Sequence, residues 1–189
     1  MNKEETLSIT KMDAAKRQLH TAIRLWFAED DPVSIHTLLS AAHELIHTMF
    51  RSAGLAGLFF DSRSIPDEIR TEVSRAIKRP SEFFKHARSD VDKTLEFTPA
   101  LNGILMLYCV NGLWRLKEYP SLEEVSIWTW LNIHHPGWFG IQKDALPPNM
   151  HAVLAHLPKQ KFLKQITEAW GSDAAFRRAF AEELLARGS

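Results

Sequence analysis

The sequence has a single cysteine, Cys109, among its 189 residues. One thiol cannot form an intrachain disulfide, and it cannot build a metal site from several thiolates. Cys109 lies in the apolar run ILMLYCVNGLW, which predicts a small buried side chain rather than a reactive one. Because disulfides are the usual fate of cysteines in oxidising compartments, their absence favours a reducing one, and we expect a cytoplasmic protein.

Net charge is also missing, since 23 Lys and Arg residues balance 23 Asp and Glu residues. This balance excludes a chain held to nucleic acid by bulk charge, although it is compatible with a local basic site. The first residues, MNKEETLSITK, lack the apolar segment of a secretory signal. The longest apolar run, near 101–114, is interrupted by Asn and Gly and is too short to span a membrane. We therefore expect no membrane association.

Alternating strand patterns of useful length are absent too, and only TLEF at 94–97 is a candidate for a short extended piece. Apolar residues instead recur at the spacing of one helix face. The sequence therefore predicts an all-α fold, a single-domain helical bundle with a core of four to five helices. We expect this core to cover about residues 10–135, followed by a C-terminal helical extension over about 148–187.

Capping residues mark several of the predicted helices. Thr10 can cap the first helix, and Asp31 followed by Pro32 is typical of the start of the second. Gly54 is expected to end that second helix. The sequence SLEE, beginning at Ser121, is a capping box for the fifth helix.

A break is predicted inside the third helix, which begins near Asp67. Pro80 disfavours helical geometry at the residue before it, Arg79. We therefore expect a kink or break at this point, with Ser81 capping a short second piece.

The second predicted helix, near 32–51, organises the rest of the chain. Its apolar side chains fill one broad arc at 100° per residue. A stripe of imidazoles and one hydroxyl borders this arc, so we expect the centre of the bundle here, with a site at its edge. The stripe consists of His36, Ser40, His43 and His47.

One part of this stripe, His43-Glu44-Leu45-Ile46-His47, satisfies the pattern HExxH. In zinc hydrolases the two histidines bind the metal and the glutamate activates its water. Those enzymes add a third ligand, here Glu68 or Glu72, and set the helix beneath a β-sheet that this sequence lacks. We therefore interpret these histidines first as the border of a bundle core, expect neither a metal nor a cofactor, and keep a zinc-dependent hydrolase as an alternative.

A second pattern joins Arg79 and His86, which have six residues between them. Together with the second-helix phrase DPVSIHTLLSAAHELIHTMF, it resembles the higher-eukaryote and prokaryote nucleotide-binding (HEPN) domains, over roughly residues 10–116. That family consists of small α-helical bundles, many of which are metal-independent ribonucleases with an Arg-x4-6-His motif. The resemblance implies a ribonuclease or an RNA-binding bundle.

The same resemblance implies a catalytic site formed by Arg79 and His86, with His43 and Glu44 as neighbours. Metal-free RNA cleavage needs a base near the 2′-hydroxyl and a cation for the charge on phosphorus, roles that fit His86 and Arg79. Family sites form where two subunits meet, so a homodimer is expected. Two alternatives stay open: a non-catalytic protein-interaction bundle, and a structural His86 paired with Glu82 or Asp90.

Aromatic residues cluster around His134 and His135, where they could stack bases, form a subunit interface or simply pack in the core. Trp128 and Trp130 are two positions apart, so they cannot share one helix face, and we expect one of them to leave the core. An exposed tryptophan favours self-association, which also points to a two-fold homodimer. The other rings of this cluster are Trp138 and Phe139.

Overall fold

The structure, a computed structural model, describes residues 6–55, 67–86, 91–136 and 148–172. Within these ranges the chain forms seven α-helices and no β-strand, which confirms the prediction of an all-α bundle. None of the helices in these ranges is long and apolar enough to cross a membrane. The helices are α1 (Lys11–Phe27), α2 (Pro32–Ser52), α3 (Asp67–Lys85), α4 (Leu101–Arg115), α5 (Leu122–His134), α6 (Pro148–Leu154) and α7 (Lys159–Ser172).

The predicted N-terminal caps are confirmed. The Thr10 hydroxyl accepts a hydrogen bond from the Asp13 amide, and the Asp13 carboxylate accepts one from the Thr10 amide in return. The Asp31 carboxylate accepts from the first amides of α2. Ser121 and Glu124 form the predicted capping box of α5. These bonds satisfy amides that have no partner inside the helix, so local sequence fixes where three helices begin.

The end of α2 is set by Gly54, as predicted. Its φ of 72° lies in the left-handed region, where a side chain is strained. The amide of Leu55 bonds the Phe50 carbonyl at 3.1 Å, and the amide of Gly54 bonds the Arg51 carbonyl at 2.9 Å. This pair of bonds is a Schellman closure, which stops the helix and turns the chain away.

The predicted break at Arg79 is wrong. α3 runs without interruption from Asp67 to Lys85 with Pro80 inside it. Proline cannot donate to the carbonyl four residues earlier, which costs stability in a helix interior. Pro80 and its neighbour Ser81 are buried, so the proline ring removes apolar surface from water, which reduces this cost.

α5 lies at the centre of the bundle. All residues from 124 to 133 are buried, because α1, α4 and α7 pack around this helix. Trp128 and Trp130 are only 8% and 9% exposed, so the expectation that one of them leaves the core is wrong. Two residues on different faces of a helix are both buried when the helix has no solvent face.

One connected cluster of buried apolar side chains draws on all seven helices. Cys109 of α4 is completely buried in it, as predicted, and burial raises the pKa of its thiol. α6 and α7 fall inside the predicted C-terminal extension and add Leu154 and Phe162 to the core. The part of that extension beyond residue 172 lies outside the described ranges.

Several helix termini meet at one end of the bundle, which we call the upper end. α1, α3 and α5 finish there, while α2, α4 and α7 begin there. Residues far apart in sequence are neighbours at this end, so any site built on it draws on most of the fold. The defining contacts are Asn102 with Pro32, Phe84 with His36, Trp130 with Trp26, and Lys159 with Trp26.

Candidate functional site

The histidine stripe of α2 begins at His36, which is completely buried. Its Nδ1 lies 2.9 Å from Oδ1 of Asn102, so Nδ1 carries the proton and donates, because an amide oxygen only accepts. The rings of Phe84 and Phe97 lie 5.9 and 5.1 Å from the imidazole. Burial lowers the pKa of His36, and the hydrogen bond to Asn102 acts in the opposite direction. His36 is therefore a neutral residue that joins α2 to α3 and α4.

His43, two turns further along α2, is 5% exposed. Burial lowers its pKa to about 4, and the positive charges of His47 and Lys78 contribute in the same direction. The rings of His43 and His47 stack at 5.8 Å with 16° between their planes. A group with this pKa is neutral at pH 7 and is a weak proton acceptor there. We infer that His43 acts as a neutral residue facing α3, and not as a base.

The other residues of the HExxH pattern do not converge with it. Glu44 is exposed on α2, and its backbone carbonyl accepts a hydrogen bond from the Thr48 hydroxyl. The two candidate third ligands on α3, Glu68 and Glu72, are exposed as well. Among the residues that the structure describes, no three His, Cys, Asp or Glu side chains form a group that could hold a metal ion.

Arg79 and His86 share one face of α3. They are seven positions apart, which is about two turns and roughly 10 Å of rise along an uninterrupted helix. Both side chains are exposed. His86 follows the last residue of α3, and its amide still bonds the Glu82 carbonyl at 3.0 Å, so helical geometry extends to it. Because α3 continues through Pro80, Arg79 and His86 lie on the same side of the helix.

Glu82 is the partner of His86. Its carboxylate lies 3.6 Å from Nε2 of the imidazole, as the structural alternative expected. Within the described ranges neither His86 nor Arg79 forms a hydrogen bond or ion pair with His43 or Glu44. The structure thus aligns Arg79 with His86 and places His43 in the buried α2 border, while the grouping of all four residues as one catalytic site stays a prediction.

Positive charge accumulates on the second half of α3. Between residues 75 and 86, four cationic side chains are exposed and Glu82 is the one carboxylate. This half of the helix is therefore basic although the whole chain has zero net charge. The four cations are Arg75, Lys78, Arg79 and Lys85.

A buried polar network around Glu124 was only partly anticipated from the sequence. Glu124 is completely buried, and its carboxylate accepts hydrogen bonds from Nε1 of Trp114 at 2.8 Å and from Nε2 of His20 at 2.8 Å. The Ser121 hydroxyl lies 3.1 Å from the same His20 nitrogen. In a catalytic triad the acid and the hydroxyl bind opposite ring nitrogens, so this arrangement is structural. It ties α1, α4 and α5 together.

A charge pattern in the sequence would have revealed this network. The polar residues Lys16, His20 and Arg24 follow one another at intervals of four on α1, and each pairs with a glutamate of the segment 118–124. Residues four apart lie on the same helix face, so such a ladder predicts an acidic partner. The capping box alone did not indicate it.

A second unanticipated grouping lies where α5 ends and α7 begins. The His134 ring lies 3.8 Å from the Trp130 ring, and the Lys159 ammonium lies 3.8 Å above the Trp26 ring. Trp138 and Phe139, which belong to the aromatic cluster seen in the sequence, lie outside the described residues.

Comparison with known proteins adds no relative. No family model, no curated protein and no solved structure matches the chain. The resemblance to HEPN domains therefore stays a prediction, carried by the second helix and by the spacing of Arg79 and His86.

Proposed function

We propose that the protein is an HEPN-like helical bundle that binds RNA on α3 and cleaves it without a metal ion, acting as a homodimer. The observation that carries this proposal is the alignment of Arg79 and His86 on one exposed face of a helix whose second half is basic. A nuclease needs its cation and its base on a common accessible surface, and α3 supplies both.

RNA binding follows from the charge of α3. Phosphate contacts by Lys and Arg provide most of the sequence-independent affinity for nucleic acid. Because the basic side chains are confined to one half of one helix, only a few phosphates are neutralised, and we expect affinity to fall moderately as salt rises. Recognition of a short single-stranded segment fits a surface of this size.

The cleavage step uses His86 as the base. Glu82 faces Nε2 of this imidazole, so Nδ1 is left to take the proton of a ribose 2′-hydroxyl. The 2′-oxygen then attacks phosphorus, the bond to the 5′-oxygen breaks, and that oxygen takes a proton from water. Arg79 stabilises the additional negative charge on the phosphoryl oxygens. The products are a 2′,3′-cyclic phosphate and a 5′-hydroxyl.

The homodimer supplies a second copy of the same pair. Arg79 and His86 are separated by about two turns of one helix, so a phosphate bound at one is at the limit of reach of the other. In a two-fold dimer with the two α3 faces side by side, one RNA can contact Arg79 of one subunit and His86 of the other. Sedimentation at micromolar concentration tests this part, and a monomer would contradict it.

The decisive experiment measures cleavage of a labelled single-stranded RNA in the presence of a metal chelator. We expect His86→Ala and Arg79→Ala each to abolish cleavage while the thermal midpoint stays within about 1 °C, because both side chains are exposed. Arg17→Ala, which removes an equally exposed cation from α1, is the matched control and should retain full activity. Full activity in both α3 variants would overturn the proposal.

One observation favours a non-catalytic protein-interaction bundle as the second candidate. The outer face of α3 carries charges of both signs, and Glu82 and His86 pair with each other along this face. Charges arranged in this way give partner specificity and faster association in protein interfaces. Purified protein that neither binds nor cleaves RNA would favour this candidate, and Arg79→Glu should then weaken the complex with a partner more than Arg17→Glu does.

A further inference from the structure

Two tryptophans at the upper end hold two basic groups against their faces. Trp26 of α1 and Trp130 of α5 contact each other edge to face, with ring centroids 5.7 Å apart. Lys159, the first residue of α7, places its ammonium 3.8 Å above the Trp26 ring. The imidazole of His134, the last residue of α5, lies 3.8 Å from the Trp130 ring with 31° between the ring planes. Three helices thus converge on one patch.

Further basic groups surround this patch. The charges of His135, His151 and Lys159 all act on His134, so the four side chains lie within electrostatic range of one another. The one opposing charge that acts on Lys159 comes from Glu29. In the described part of the chain neither Lys159 nor His134 forms an ion pair. We call Trp26, Trp130, His134, His135, His151 and Lys159 the tryptophan–imidazole cluster.

The cluster contains basic side chains and no acidic one. A cation–π contact stabilises Lys159 by about 0.5–2 kcal/mol, which is less than a desolvated ammonium gains from a carboxylate or phosphate. Nε2 of His134 is buried and, within the described residues, has no hydrogen-bond partner. Lys159 forms no ion pair within the described residues, so a bound anion would place a counter-charge in direct contact with its ammonium.

We propose that the tryptophan–imidazole cluster binds a phosphate group, either inorganic phosphate or a phosphate monoester, at the junction of α5 and α7. This site is separate from the outer face of α3, and it does not depend on RNA cleavage. Phosphate fits because it carries close to two negative charges near neutral pH and can accept hydrogen bonds from Lys159 and from imidazole N–H groups at the same time.

Two other ligands fit this cluster less well. Stacking of a nucleic-acid base needs an open aromatic face, but Lys159 already covers Trp26, and Trp130 is only 9% exposed. A metal ion would meet Lys159, whose charge repels it, and no described group of three ligands is available. An anion meets neither obstacle.

Binding should depend on pH in a defined direction. Burial lowers the pKa of His134 and of His135, and neighbouring positive charges add to the effect, so both imidazoles are largely neutral at pH 7.5. A bound dianion raises both pKa values, and binding therefore takes up protons. We expect affinity for a phosphate monoester, which stays largely dianionic down to about pH 6.5, to increase from pH 7.5 to that pH, with Glu29 opposing and Lys159 supporting the anion.

The test is calorimetric titration of the full-length protein with inorganic phosphate and, separately, with adenosine 5′-monophosphate at constant ionic strength and pH 6.5. We expect saturable binding that Lys159→Gln weakens at least tenfold. Lys164→Gln is the matched control, since Lys164 lies on the same helix, is exposed and pairs with Glu168. Absence of saturable binding of either ligand, or an equal loss in both lysine variants, would overturn the proposal.

A second variant keeps the test valid if Lys159→Gln unfolds. His135→Gln should weaken phosphate binding several-fold without a change in the far-ultraviolet circular dichroism spectrum, and its normal affinity would count against the site. Equal affinity for the two ligands indicates that the phosphate alone is recognised, whereas tighter binding of the nucleotide indicates contacts to the remainder. His86→Ala should bind phosphate normally, so failure of this site and failure of the proposed nuclease are distinguishable.

Discussion

α5 and α3 are the two extremes of this bundle. α5 is 13 residues long and buried on all sides, while α3 is 19 residues long and packs against α2 through a narrow strip. Glu124 of α5 is enclosed and hydrogen-bonded, whereas most polar groups of α3 face solvent. We infer that the short central helix contributes most to stability, while the longer peripheral helix can carry charge for binding.

The histidine stripe of α2 connects these two regions. His36 and His43 are buried where α2 meets α3, and both have lowered pKa values. Burial disfavours the charged form of both imidazoles, and the positive charges of Lys85 near His36 and of Lys78 near His43 add to this effect. We therefore expect the packing of α3 against α2 to weaken at low pH.

The largest effect is expected from Glu124→Ala. It leaves the buried Trp114 Nε1 and His20 Nε2 without their acceptor, and removal of one partner from a buried charged network costs about 3–5 kcal/mol. The adjacent Glu123→Ala removes an exposed pair with Arg24 and should cost less than about 1 kcal/mol. Urea unfolding of both variants measures the difference. Similar costs for the two would contradict a central role for α5.

Low pH should weaken the packing of α2 against α3. The pKa of His43 is about 4 in the folded protein and 6.5 in the unfolded chain, so the unfolded state binds more protons between these values. The stabilisation is complete above pH 6.5 and is lost as pH falls to about 4, an effect of about 3 kcal/mol. Urea unfolding at pH 7, 5.5 and 4.5 measures it.

His43→Gln provides the check on this pH dependence. It should flatten the loss of stability between pH 6.5 and 4, because glutamine does not titrate. Ser40→Ala is the matched control and should leave the slope unchanged, since it alters the same stripe of α2 without removing a titratable group. An identical slope in the His43 variant would show that other groups cause the acid sensitivity.

A smaller and opposite effect is expected from Pro80→Ala. The change restores an amide that can bond the Ala76 carbonyl, a gain reduced by loss of the buried ring and by the greater freedom of the unfolded chain. We expect a net gain of about 1 kcal/mol and slower hydrogen exchange in the second half of α3. Pro32→Ala is the control, since proline suits the first position of α2 and its loss should not stabilise the protein. Destabilisation by Pro80→Ala would show that ring packing dominates.

The smallest effect on stability is expected from Glu82→Gln. An ion pair between residues four apart on an exposed helix contributes about 0.3–0.5 kcal/mol, so the thermal midpoint should scarcely change. If Glu82 orients His86 for cleavage, Glu82→Gln should lower the rate of RNA cleavage several-fold. An unchanged rate would show that Glu82 is only a surface residue.

Much of the architecture could be predicted because its signals are local. Thr10, Asp31 and Ser121 accept bonds from amides within three residues, and Gly54 adopts a φ that glycine permits without strain. The apolar arc of α2 follows from helical spacing alone. Such features depend on a few neighbouring residues, so they are the same wherever the helix is placed.

The candidate site was predictable only in part. The spacing of Arg79 and His86 is a sequence fact, but their alignment required α3 to continue through Pro80. His43 belongs to a recognisable HExxH pattern, yet only its surroundings make it neutral and structural. The contacts of His20 with Glu124 and of Trp26 with Lys159 join residues more than 100 positions apart in the chain, and a pattern on one helix does not identify which distant residue will be the partner.

The sequence by itself determined the all-α fold, the starts of three helices, the end of α2 and the burial of Cys109. The tertiary structure decided which helix has no solvent face, whether a proline interrupts α3 and which histidines are neutral. The physical reason is that capping bonds and helical periodicity act over a few residues. Burial, in contrast, depends on what packs against a residue from elsewhere in the chain. Burial lowers the pKa of His43, and packing from several helices keeps both Trp128 and Trp130 in the core.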